Sequence, residues 1–115
     1  MSVSANMQNP SFHGIYKISM PNVQTIKDEN EKNAVTEAAI NTIVMGTNSS
    51  IEAPRISEKD SAIYYRINDK HDKDFEKGFR EILNSCNKAF NVDLAKKVYM
   101  QRVSEEEYQK AEVVQ

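Results

Sequence analysis

The sequence has too little of several things to support some large classes of function. It has one cysteine, Cys86, so no disulfide closes within the chain, and no cysteine set for a metal is present. It has three glycines in all, which leaves little backbone to cradle a phosphate, and neither a phosphate-binding glycine loop nor a G-x-S-x-G or H-E-x-x-H pattern occurs. It has two histidines, His13 and His71, and neither has a second histidine or a cysteine at a ligand spacing. No metal and no cofactor is therefore expected.

Long apolar runs are also missing. The longest, Ala38 to Met45, is interrupted by Asn41 and Thr42 and falls far short of the roughly 20 residues that span a bilayer. Residues 1–11 show neither a basic start nor an apolar stretch, so they read as a flexible arm rather than a secretory signal. A lone cysteine and no leader together suggest a reducing, cytoplasmic setting with no membrane contact. Fifteen basic residues against seventeen acidic ones give a net charge of -2, which is not the footprint of a dedicated nucleic-acid binder.

What is present is periodicity. At 115 residues the chain has room for one hydrophobic core, and one α+β domain is expected over residues 12–103, followed by a helical tail at 104–115. From Phe12 to Met20 alternate residues are apolar, which predicts a strand closed by Pro21. Thr25, followed by Asp28 and Glu29, predicts the start of a helix that reaches Met45 and ends at Gly46, burying Val35, Ala39 and Ile43 with Ile40 and Val44 beside them. Thr47 to Pro54 reads as a polar loop.

Arg55 to Glu58 and Ala62 to Ile67 predict a hairpin, with Pro54 marking its first arm as an edge strand. A charged cap at Asn68 to Asp72 precedes the strongest pattern in the chain, Phe75, Phe79, Ile82, Leu83, Cys86 and Phe90, at helical spacing. The run Lys97 to Val103 reads as a last strand, and Ser104 with Glu107 as the capping box of a short helix containing Tyr108 and Ala111. Strand, helix, strand, strand, helix, strand is the ferredoxin-like order: an antiparallel sheet with two helices on one face.

Chemistry is harder to place. Asp69 to Asp74 lacks the glycine and oxygen spacing of a calcium loop and reads as a helix start stabilised by the helix dipole. Cys86 lies on the buried stripe, where burial raises a thiol's pKa and leaves it a small hydrophobe. Which carboxylates meet in three dimensions is not legible.

The sheet face away from the helices is the candidate surface. Parity puts Tyr64 and Arg66 there, with Lys17 on the neighbouring strand and either Tyr99 and Gln101 or Val98, Met100 and Arg102 on the last one. Tyrosine, methionine and arginine favour interface cores, so the expected function is a non-catalytic binding or regulatory module. It would make protein–protein contacts through this open face, with a partner or as a homodimer. The alternatives are single-stranded RNA binding on the same face, although the basic-Gly-aromatic signature is absent, and a small enzyme or ligand site at a dimer cleft. A third arrangement has the C-terminal helix covering the sheet through Tyr108 and Ala111.

Overall fold

The computed structural model describes residues 14–113; the arm expected at 1–11, Phe12 and His13 lie outside them. Alternation builds β1 (Ile15–Ser19), whose Tyr16 and Ile18 share one face while Ile15, Lys17 and Ser19 share the other. A turn at Val23–Thr25 leads into α1 (Glu29–Ser49). The hairpin strands are β2 (Arg55–Ser57) and β3 (Ala62–Arg66), turned by Ser61 in the left-handed region at φ 51°. After a turn at Asp69–His71 come α2 (Asp72–Phe90), β4 (Tyr99–Arg102), α3 (Glu105–Lys110) and β5 (Glu112–Val113).

The sheet order is β4-β1-β3-β2-β5, and every neighbouring pair is antiparallel. The first four strands in this order make the ferredoxin-like arrangement, with β1 and β3 at the centre and α1 and α2 together on one face. The main core is there. Tyr16, Ile18, Tyr65 and Ile67 of the sheet meet Ala34, Val35 and Ala38 of α1, Phe75, Phe79 and Cys86 of α2, and Leu94 and Val98 of the α2–β4 connection. Phe75 stands between two tyrosines, its ring centre 5.1 Å from that of Tyr16 and 5.9 Å from that of Tyr65.

Several elements depart from the sequence pattern for identifiable reasons. Thr25 does not open α1: its hydroxyl donates to the carbonyl of Asn22 and closes a turn, while Asp28 caps the helix by accepting from the Glu31 amide. Gly46 does not end α1. It is buried inside the helix because the Tyr65 ring packs against it, and a Cβ there would stand 2.5 Å from ring carbons. That close approach rotates the helix, so Ala34, Val35, Ala38, Thr42 and Gly46 face inward, while Ile40, Ile43 and Val44 are exposed.

Because α1 runs on to Ser49, the loop before β2 is only residues 50–54. On α2 the stripe is buried at Phe75, Phe79 and Cys86, whereas Ile82, Leu83 and Phe90 are half-buried. Nor is β2 an edge: β5 pairs with it at Arg55↔Val113 and Ile56↔Glu112. Among the described residues no helix is long and apolar enough to cross a membrane.

Candidate functional site

The register of the sheet places all four sequence-predicted site residues on the face away from α1 and α2. Lys17 pairs with Tyr64, Ile15 with Arg66, and Ser19 with Tyr99, which selects Tyr99 and Gln101 over Met100 and Arg102 as the outward pair of β4. The face is not open along β3, however. The Ser104 hydroxyl caps α3 by accepting from the Glu107 amide, and the helix then lies across the strands to reach β5 at the far edge. Ile15, Ala62, Tyr64, Tyr108 and Ala111 form a second, smaller core between α3 and the sheet.

Charge holds α3 down at its rim. Two nitrogens of Arg66 donate to the two oxygens of Glu105 at 2.7 and 2.6 Å, and its Nε donates to Glu52 at 2.7 Å. The hydrogen bonds from Arg66, with a further one from Gln109 at 2.6 Å, lower the pKa of Glu105 to about 2. The guanidinium groups of Arg55 and Arg66 each lie 4.7 Å from the centre of the buried Tyr108 ring, so the ring is held by two cations. Lys17 reaches Glu107 at 3.5 Å, and the Tyr64 hydroxyl lies 3.3 Å from the same carboxylate. Burial pushes the Tyr64 phenol up.

Of the four expected contact residues, Lys17, Tyr64 and Arg66 therefore come together beneath α3, with Tyr64 buried. Tyr99 stands apart at 46% exposure. The groups that would meet nucleic-acid phosphates, Lys17 and Arg66, are already paired with glutamates.

A cluster of polar groups that the sequence left unplaced sits on the helix side. Tyr16 donates to Asp72 and lies 3.1 Å from Glu76, and Arg102 joins both carboxylates at 3.1 and 2.7 Å while covering the Tyr16 ring. Burial, then the hydrogen bond to Asp72, drives the Tyr16 phenol far above its ordinary range, so it remains a donor. Both carboxylates are occupied by these partners. The cluster ties the first turn of α2 to β1 and β4.

The least expected surface is the outer side of α1. Ile40, Ile43 and Val44 are 53%, 40% and 56% exposed, and at helical spacing they share a side with the exposed Asn33, Thr36 and Thr47, with Glu37 at its margin. No residue from Ala38 to Ser49 is charged. Beside it, Glu37, Asn41, Ser85, Cys86, Ala89 and Phe90 line a groove of about 290 Å³ between α1 and α2. Burial raises the Cys86 thiol at the base of this groove. A separate cleft of about 340 Å³ is floored by Ile18, Met20, Ile56 and Ile63.

The signal for the outer stripe was in the sequence. Apolar residues at 34, 35 and 38 and at 40, 43 and 44 cannot all face inward on one helix. No protein-family model, curated protein or solved structure matches this chain.

Proposed function

We propose that this protein is a non-catalytic binding module that acts through protein–protein contacts, and that its contact surface is the outer side of α1, met by a second copy of the chain. The observation that carries the reading is the exposure of Ile40, Ile43 and Val44 together on a stretch of helix, Ala38 to Ser49, without charge. Scattered surface apolar residues need no explanation, but three adjoining branched residues on one stripe support the reading of a contact site.

A second copy fits this stripe better than a different partner because the stretch around Ile40, Ile43 and Val44 carries no charge, with Glu37 as the charged residue at its margin. An uncharged helix side is complementary to itself under a two-fold axis. With the axis between Ile40 and Val44, Ile40 of one copy meets Val44 of the other in an antiparallel crossing, and Ile43 lies close to its own symmetry mate. The stripe from Asn33 to Thr47 is about 22 Å long at the helical rise and about 10 Å wide. That is modest beside the roughly 800 Å² per partner of a standard interface, so the dimer is expected to be reversible and dependent on concentration.

Sedimentation across a concentration series tests this. The chain is expected to shift from monomer to dimer in the micromolar range or above, and Ile43→Asp is expected to remain monomeric with the thermal midpoint of the dilute protein unchanged. A chain that stays monomeric throughout, or a dimer indifferent to Ile43→Asp, refutes the reading.

A further inference from the structure

The segment from Ser104 to Val113 contacts the rest of the chain as a bound peptide would. It leaves β4 at one edge of the sheet, crosses the outward face as α3, and joins β2 at the other edge through only two residue pairs. A six-residue helix does not hold itself in water, so α3 is helical because the sheet holds it. The hold combines one aromatic anchor with acidic contacts: Tyr108 between Arg55 and Arg66, Glu105 on Arg66, and Glu107 beside Lys17 and Tyr64.

Among the described residues the contact leaves one donor unmet. The hydrogen bonds that Arg55 gives to the segment go to main-chain carbonyls, those of Gln109 at 3.5 Å and Ala111 at 3.2 Å, and its buried Nε has no acceptor among those residues. A buried guanidinium N–H without an acceptor costs free energy that a carboxylate at that position would recover.

We infer that the outward sheet face formed by Lys17, Arg55, Tyr64 and Arg66 is a binding site for an acidic helical peptide bearing an aromatic residue, and that residues 104–113 are its resident occupant. The ligand that displaces the resident carries glutamates matching Glu105 and Glu107, a tyrosine or phenylalanine matching Tyr108, and one further carboxylate within reach of Arg55. The cationic face supplies the charge complementarity, and the buried Ile15 and Ala62 supply an apolar floor. Tethering gives the resident a local concentration in the millimolar range, so an outside peptide binds measurably only when the resident is loosened or outmatched. The site lies on the opposite side of the sheet from α1, and the inference is independent of the dimer.

The test uses the full chain and a fluorescent peptide of residues 104–113 as the probe, read by anisotropy. The variant Glu105→Lys sets a lysine against Arg66 at a rim position and leaves Tyr108 in place. It is expected to bind the wild-type peptide about tenfold or more tighter than the wild-type chain does, as release of a tethered competitor requires. Adding Arg66→Glu to that variant, or raising the salt, is expected to remove the gain. In the wild-type chain, the amides of Tyr108 and Ala111 are expected to exchange with deuterium faster than those of β3. No tightening in a folded Glu105→Lys chain, global unfolding of that variant, or protection of the Tyr108 amide equal to that of β3 would each overturn the inference and make α3 a fixed part of the core.

Discussion

The two long helices lie side by side on the same sheet, yet they are built on different plans. α2 is one-sided: Phe75, Phe79 and Cys86 go inward, and Lys73, Asp74, Lys77, Arg80, Glu81 and Lys88 face water. α1 is two-sided, with small residues inward and branched apolar residues outward. α2 anchors by bulk, filling the space between the layers with aromatic rings. α1 anchors mainly by proximity, with Gly46 seated on the Tyr65 ring, and that leaves Ile40, Ile43 and Val44 exposed in the monomer. In a two-layer domain, the helix that packs with small residues is therefore the one free to offer a contact surface.

Removing bulk from α2 should give the largest effect. Phe79→Ala is expected to lose about 3 to 5 kcal/mol in chemical denaturation, the usual cost of truncating a buried phenylalanine. A loss below about 1 kcal/mol would mean that α2 does not anchor by bulk. Adding a single methyl to α1 comes next. Gly46→Ala is expected to cost about 1 to 3 kcal/mol, because the new Cβ meets ring carbons of Tyr65 and the helix must lift to accept it. A neutral or stabilising result, as helix propensity alone would give, would break the contrast drawn here.

Changes on the outward sides should do little to the monomer. Val44→Lys is expected to fall within about 0.5 kcal/mol of wild type in dilute protein, while weakening self-association as Ile43→Asp does.

The smallest effect is expected at α3, where a charged helix side faces protein rather than water. Arg66, with Gln109 beside it, holds the pKa of Glu105 at about 2, against an ordinary 4.5. A carboxylate depressed in this way adds stability above its unfolded pKa and loses it as the pH falls through the folded one. The stability difference between wild type and Glu105→Gln should therefore be present at neutral pH and fade between pH 4.5 and about 2. Because Glu105 is half exposed, solvent and salt screen the contribution and keep it small. A difference that does not change with pH would assign the effect to packing.

The sheet was legible in the sequence because strand periodicity is strict. Once Tyr65 and Ile67 point inward, Tyr64 and Arg66 must point outward. The second helix was legible for a similar reason, since its large residues recur at one spacing. The first carried two competing apolar stripes, and the alanines and glycine that face inward gave a weaker burial signal than the isoleucines on the outer side. The capping box at Ser104 and Glu107 could be read locally. That α3 would lie over Tyr64 and Arg66 could not, because Glu105 and Arg66 are far apart in the chain and many lysines and glutamates offered equivalent pairings. The candidate surface was found by parity, and its covering was set by tertiary contacts.

The position of β1 in the ladder has a kinetic consequence. Its neighbours, β3 and β4, both lie far along the chain, whereas β2 and β3 are joined by a tight turn. Closing the loops that bring β1 to its partners costs entropy before any cross-strand contact repays it. The hairpin and the nascent second helix are thus placed to form early, and the most buried strand of the sheet is captured late. The barrier to folding is then expected to lie in the search by Ile15–Ser19 for the gap between two strands rather than in the local preferences of any helix.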